Sequence, residues 1–415
     1  MGAGGGHWFD GARFGMFIHW THVSNRGFEL SWPLVGSLSV YPHSGGVSVD
    51  DYYAKALKFS PEPGAAKQWM DLAADAGMKY AVLTTKHHDG FALWPTKHSE
   101  FSIAHTPYGG DLVGEYVEAA REAGLRVGFY YSLSDWHHPD YPPFREEDKP
   151  YMKYLGRRSD SWNAYLDAMF GQVRELLTNY GQIDVMWFDG QWERTQDEWK
   201  APELAAMVRE LQPQILINDR LPKQGDYATP EQAIPATTPE GRWETCMTMN
   251  TSWGFVPQDD TYKSTTEIVH TLAETTGKGG NLLLNVSPRG DGSLPPEQVG
   301  RLEGVAAWMD VNGGAIHDTE AGLEPWRFYG PSTKRGDTIY LICPWKPYED
   351  VVVRGLPVKR VSARHLATGA ELKVRGRATA EQELFTKDPI GEVFISLPEE
   401  LHQPHATVIE LTLAP

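Results

Sequence analysis

Short, uninterrupted apolar runs recur along the first three quarters of this chain, and helical patterns fill the gaps between them. That alternation constrains the fold more than any other feature. The runs Phe14–Ile18, Tyr80–Thr84, Val127–Tyr131, Ile183–Phe188, Ile215–Ile217 and Leu282–Val286 read as buried strands, with Trp243–Met249 as a weaker candidate. Between them, Trp69, Leu72, Ala73 and Ala76 keep the spacing of one helix face. Leu112, Val113, Tyr116, Val117 and Ala120 do the same, behind Asp111 as N-cap. Further stripes run from Trp162 to Leu177 and from Leu204 to Leu211. Gly77, Gly124 and Gly181 stand where C-cap glycines belong.

Repeated βα units imply a parallel sheet. Six or seven strands over about 300 residues favour a closed barrel over an open sheet. No Gly-x-Gly-x-x-Gly follows the first strand, which argues against a dinucleotide fold. The fold class expected is therefore α/β, a (β/α)8-like barrel over residues 1–318. Near Glu320 the pattern changes to short strand-like segments separated by turns: Thr338–Cys343, Val351–Val353, Val361–His365, Leu372–Val374, Val393–Leu397 and Thr407–Leu413. Residues 319–415 are expected to form a C-terminal antiparallel β-sandwich without helices, packed on the barrel or lending a loop to its rim.

Composition narrows the function. The net charge of −17 argues against a nucleic-acid partner, which needs a basic face. No apolar stretch is long enough to span a membrane. Two cysteines, Cys246 and Cys343, cannot build a disulfide framework or a cysteine-rich zinc site. Residues 1–6 have neither a basic region nor an apolar core, so a cytoplasmic location is expected as written, or a secreted or periplasmic one after removal of a signal. The 15 Trp residues suit both a core and the faces of sugars. Trp69 and Trp162 fall on helical stripes, whereas Trp20, Trp136, Trp187 and Trp253 fall near strand ends or site loops.

Barrel enzymes carry their chemistry at the C-terminal ends of the strands. Here the first strand ends in His19-Trp20, the second in Lys86-His87-His88-Asp89-Gly90 and the third in Tyr131-Ser132. The fourth ends in Trp187-Phe188-Asp189-Gly190 and the fifth in Asn218-Asp219-Arg220. Asp189 follows a stiff apolar run, and Gly190 gives a ligand room beside it. It reads as a nucleophile or general base, with a helix cap or strand-end ion pair as the plainer alternative. Glu231 and Glu244 are both candidates for the second carboxyl group of acid/base catalysis. His19-x-x-His22, His87-His88 and His137-His138 look like metal ligands, but adjacent histidines on extended backbone point to opposite sides. No metal and no cofactor is expected. Histidines and Trp around a carboxylate look more like hydroxyl partners and a stacking platform for a sugar.

These motifs resemble a known family. Phe14-Gly15-Met16-Phe17-Ile18-His19-Trp20, Lys86-His87-His88-Asp89-Gly90-Phe91 and Trp187-Phe188-Asp189-Gly190 are similar to blocks of the α-L-fucosidases, the twenty-ninth glycoside hydrolase family. So are Trp243-Glu244-Thr245-Cys246, Ser252-Trp253-Gly254-Phe255 and the run from Gly279 to Pro288. The resemblance implies a retaining exo-hydrolase that removes terminal α-L-fucose from oligosaccharides or glycoconjugates without a metal. It implies Asp189 as nucleophile and Glu231 as acid/base, with Glu244 as the alternative. It places His19, Trp32, His87, His88, Tyr131, Trp187 and Arg220 against fucose, with Trp253 and Phe255 beside the sugar methyl group. Where the family often has a Glu-Trp pair, this chain has Ser31-Trp32, with Glu29 two residues earlier. A metal-dependent barrel hydrolase and a non-catalytic fucose-binding protein on the same fold are the competing readings.

Overall fold

The computed structural model describes residues 7–36, 46–149, 151 and 157–413. Seven parallel strands form its central sheet: β1 (Phe14–Ile18), β2 (Tyr80–Lys86), β3 (Arg126–Ser132), β4 (Val185–Asp189), β5 (Leu216–Ile217), β6 (Glu244–Thr248) and β7 (Asn281–Val286). Their order across the sheet is β5-β4-β3-β2-β1-β7-β6. The apolar runs of the sequence are these strands, within two residues at each end. The segment around Glu244, a weaker candidate, is a full strand.

The two edges of the sheet, β5 and β6, do not pair with each other. An irregular segment, residues 226–232, fills the gap. On one side Asp226 N–H donates to Ile217 O (2.7 Å) and Asp219 N–H to Tyr227 O (3.0 Å). On the other, Ala228 N–H donates to Arg242 O (3.0 Å), Cys246 N–H to Pro230 O (3.1 Å) and Gln232 N–H to Cys246 O (2.9 Å). The Asp226 carboxylate also accepts from Ile217 N–H at 2.8 Å. The barrel thus closes through a stave too irregular to read as a strand.

Alternation along each strand divides the core in two. Phe17, Tyr80, Val82, Tyr130, Val185, Trp187 and Leu283 point inward and pack together with Trp253 and Cys246. Met16, Ile18, Ala81, Leu83, Phe129, Tyr131, Met186 and Phe188 point outward, against the surrounding helices. Each large aliphatic or Phe side chain among them, fully buried, contributes about 1.5–3 kcal/mol. Four of the helices are those the periodicity implies, Ala65–Asp75, Leu112–Glu122, Trp162–Asn179 and Ala201–Leu211; two more, Thr265–Gly277 and Pro296–Asn312, flank β7 where no stripe was read. Asp111 caps Leu112–Glu122 by accepting from Gly114 N–H at 2.9 Å. Gly77, Gly124 and Gly181 take left-handed φ values of 80°, 73° and 71° just beyond three helices.

The C-terminal part holds a six-stranded sheet, Glu320–Ala321, Ser332–Arg335, Thr338–Cys343, Val361–His365, Glu371–Leu372 and Thr407–Leu413. A three-stranded sheet, Val351–Pro357, Val374–Arg377 and Ile390–Ile395, packs with it around Leu341, Val353, Val393 and Leu411. Leu372–Val374, read from sequence as one strand, is a crossing point: Leu372 pairs in the larger sheet and Val374 in the smaller. A short helix, Ala380–Phe385, appears where none was expected, capped by the Thr379 side chain. This unit docks on the barrel's helices. Trp308 Nε1 donates to Ala406 O (2.8 Å), and Thr333 Oγ1 donates to Ala315 O (2.6 Å). Among the described residues no helix is long and apolar enough to cross a membrane.

Gly15 illustrates how tightly the barrel is filled. It pairs with Tyr80 in the next strand, and a Cβ there would lie 2.5 Å from the Tyr80 ring. Gly15→Ala should therefore destabilise the protein by about 1–3 kcal/mol, read as a lowered urea midpoint at unchanged slope.

Candidate active site

One cavity of about 430 Å³ opens at the C-terminal end of the barrel. It is lined by Phe17, His19, Trp32, His87, Tyr130, Trp187, Asp189, Trp192, Arg220, Glu231, Cys246 and Trp253. Eight of the residues singled out from sequence thus converge here: His19, Trp32, His87, Trp187, Asp189, Arg220, Glu231 and Trp253.

Asp189 is the last residue of β4, and its side chain is held from two sides. Tyr130 Oη donates to Oδ2 at 2.9 Å, and Arg220 Nη1 donates to Oδ1 at 2.9 Å. The other end of the same guanidinium, Nη2, donates to Glu231 Oε2 at 2.6 Å. Arg220 also lies 4.5 Å over the Trp187 ring. Burial opposes its charge, but Asp189 and Glu231 outweigh burial and push its pKa further up. One fork therefore spans both carboxylates and keeps them close together.

The histidines are buried and neutral. His19 Nδ1 meets Asn285 Oδ1 at 2.6 Å, while Asn285 Nδ2 donates to Trp253 O at 2.8 Å. That amide orientation puts the His19 proton on Nδ1 and leaves Nε2 as an acceptor. Burial, reinforced by neighbouring His87, lowers its pKa to about 3. His88 Nδ1 lies 2.7 Å from Ser132 Oγ, which itself donates to Ser134 O at 2.7 Å. The His88 proton therefore sits on Nδ1, and burial lowers its pKa to about 3. Its Nε2 is buried without a hydrogen-bond partner, 3.9 Å from Asp189 Oδ2. His87 Nδ1 is hydrogen bonded to Ser31 Oγ, and its ring lies parallel to Tyr130 at 5.6 Å.

Three expectations are corrected. Tyr131 does not face the cavity: it points outward, and its Oη donates to Gln172 Oε1 at 2.7 Å. Tyr130 takes its place, because alternation puts residues 130 and 132 on the same inner face. The signal was present in the sequence. The polar strand-end residues His19 and Asp189 share parity with Phe17 and Trp187, and Ser132 shares it with Tyr130. Phe255 is not among the lining residues; its ring sits 5.6 Å from the Arg289 guanidinium. Glu244 is the first residue of β6, at the opposite end of the strands from the cavity mouth. It accepts from Tyr80 Oη and from Trp187 Nε1 (3.1 Å) on the barrel floor. Burial there raises its pKa to about 7.

The aromatic residues also sort differently. Trp20 and Trp136 are buried; Trp20 packs on Trp69 and Phe59, and Trp136 Nε1 donates to Glu193. Trp192, which sequence reasoning did not single out, lines the mouth instead. Glu29 was noted only for its spacing. It accepts from Trp253 N–H (2.7 Å) and Gly254 N–H (2.8 Å) and so fixes the Trp253 loop, while Ser31 supports His87. Among the described residues, no group of three or more His, Cys, Asp or Glu side chains could hold a metal ion. Both cysteines are free and buried.

Cleaving a glycosidic bond with retention asks for two carboxyl groups about 5–5.5 Å apart on either side of a sugar. A ring-lined cavity that holds Asp189 and Glu231 on one guanidinium has the residue types such a reaction uses and fits a glycoside hydrolase. Comparison with known proteins narrows the class. The family model for α-L-fucosidase matches residues 5–314. α-L-Fucosidase isoenzyme 1 from Paenibacillus thiaminolyticus is 38% identical, with a TM-score of 0.86 and 98% of each chain covered. An α-L-fucosidase from Branchiostoma floridae is 31% identical over 84% of this chain and 81% of its own. A Bacteroides thetaiotaomicron α-L-fucosidase, solved as a trapped covalent intermediate with 2-fluoro-fucosyl fluoride, is 26% identical with a TM-score of 0.78, covering 98% of this chain and 95% of that one. The chain belongs to the α-L-fucosidase family, glycoside hydrolase family 29.

Tyr130→Phe should lower kcat/KM by about tenfold to a hundredfold by removing a donor to Asp189, whereas Tyr131→Phe should cost only about 1 kcal/mol of stability. Glu244 generates a pH effect. Its folded pKa lies above the unfolded value, so the stability it contributes is complete below about 4.5 and is lost as pH rises through about 7. Glu244→Gln should flatten the fall in melting temperature between pH 5 and 8.

Proposed function

We propose that Asp189 is the nucleophile and Glu231 the acid/base of a retaining hydrolysis that releases terminal α-L-fucose from oligosaccharides or glycoconjugates. The observation that carries this assignment is the Arg220 fork shared between the two side chains. Asp189 Oδ attacks the anomeric carbon as Glu231 gives a proton to the leaving oxygen. The C–O bond to the leaving group breaks, and a fucosyl ester forms on Asp189. Glu231, now a carboxylate, takes a proton from water, which attacks the same carbon and releases fucose with its configuration retained.

The remaining groups hold the sugar. The neutral Nε2 of His19, which lines the cavity, is an acceptor for a fucose hydroxyl group; His88 lies behind the lining residues, and its partnerless Nε2 is a second acceptor at the cavity's closed end. Trp253 supplies an apolar face for the sugar methyl group in place of Phe255. Tyr130 and Arg220 keep Asp189 aligned and favour its carboxylate as a leaving group in the second step. Residues 1–318 carry this chemistry. The C-terminal unit, 319–415, supports the barrel, and among the described residues none of its side chains lines the cavity.

Asp189→Asn should lower turnover of an aryl α-L-fucoside by about three orders of magnitude or more. Glu231→Ala should be slow on poor leaving groups but recover with azide, yielding α-L-fucosyl azide. If azide leaves Glu231→Ala unchanged, the acid/base lies elsewhere. A panel of an aryl fucoside, a 2′-linked oligosaccharide and branched 1,3/1,4-linked ones decides the linkage. A pure fucose binder would turn over none of them.

A further inference from the structure

The cavity has a closed end and an open end, and the boundary can be read from exposure. Phe17, His19, His87, Tyr130, Trp187, Asp189, Cys246 and Trp253 are buried. The lining residues that reach solvent are Trp32, Arg220, Glu231 and Trp192. Fucose fills the closed end in the reading above, so the bond to be cut lies at the mouth, beside Glu231. Whatever leaves must rest on the rim, and the most exposed large side chain of that rim is Trp192, at 42%.

The flat apolar face of Trp192 is open to whatever leaves the cavity. Trp192 is also mounted with unusual rigidity for a rim residue. Its Nε1 donates to Tyr151 Oη at 2.9 Å. The next residue, Glu193, is buried, and its carboxylate accepts from Trp136 Nε1 (2.8 Å), Tyr141 Oη and Tyr151 Oη. Arg194 follows, with its guanidinium over the Tyr141 and Trp162 rings (5.5 and 5.2 Å) and Nη1 donating to Glu193 O at 2.7 Å. On its inner side Trp192 is nearly parallel to Trp32 (6.5 Å, 16°) and meets the edge of His88. A flat ring fixed in place loses little entropy when a ligand stacks on it.

We propose that Trp192, backed by Trp32, is the binding platform for the leaving group, and that it accepts a ring with an apolar face: the C–H face of a pyranose, or an aryl group. This rests on the fucosidase reading and adds a subsite to it. Fucose alone does not need Trp192; the residue to which fucose is attached does.

The test compares two substrates that differ only in what leaves. α-L-Fucosyl fluoride expels one atom, with no ring to stack. 4-Nitrophenyl α-L-fucoside expels a ring. The readout is the ratio of kcat/KM for the aryl fucoside to kcat/KM for the fluoride, measured in wild type, Trp192→Ala and Trp192→Phe. Trp192→Ala should lower that ratio about fivefold to tenfold, the size of one aromatic stack. Trp192→Phe, which keeps a ring, should recover most of it. A ratio unchanged in Trp192→Ala overturns the proposal. So does an equal fall in both specificities, which would make Trp192 a fucose contact or a purely structural residue. Wild-type protein inert on the fluoride would instead sink the fucosidase reading itself. Thermal melting of both variants separates misfolding from lost stacking.

Discussion

A single guanidinium organises this site. Arg220 stands just past β5 and ties buried Asp189 to Glu231, which reaches solvent at the cavity mouth. Two neighbouring carboxylates repel each other. Arg220 offsets the repulsion and sets the geometry at once, because its N–H donors lie in one plane and point in fixed directions. Trp187 beneath the guanidinium plane and Thr229 Oγ1, 3.3 Å from Nε, fix the plane itself. Much else is arranged to keep this assembly in place: Trp187 is anchored by Glu244 on the floor, and the segment carrying Glu231 is pinned between β5 and β6.

That arrangement explains what could be read from the sequence. The strands were legible because each is buried on both faces and so appears as a continuous apolar run. Asp189 was legible because a carboxylate ending such a run has one place to be, the barrel rim. Tyr131 was misplaced because two adjacent tyrosines look alike until the parity of the strand is set. Setting it needs a second strand for comparison, and His19 with Phe17 would have served. Phe255 was carried over with Trp253 as a pair, although a bend after Gly254 separates them.

Other features had no local signature. The closing stave, residues 226–232, has no apolar alternation, because its backbone pairs irregularly and Gln232 takes a left-handed φ of 57°. Its role comes from the gap it fills. Trp192 was invisible because its position depends on the path of a loop fixed by Glu193, and that depends on three donors from distant segments. Glu29 could be seen to lie two residues from its expected place, but not that it had become the support of another loop. In the C-terminal unit, Leu372–Val374 read as one strand because nothing in three residues marks the point where the chain passes from one sheet to another.

The discharged histidines have a consequence of their own. An imidazole in water changes from acceptor to donor near neutral pH, and a binding site built on it would change its preferences with the medium. His19 and His88 are buried deeply enough that neither switches until about pH 3. Their tautomers are fixed from behind by Asn285 and Ser132. These two histidines therefore keep one pattern of donors and lone pairs from mild acid to mild base. In the proposed reading, the hydrogen bonds these two histidines offer a sugar do not depend on the acidity of the surroundings over that range.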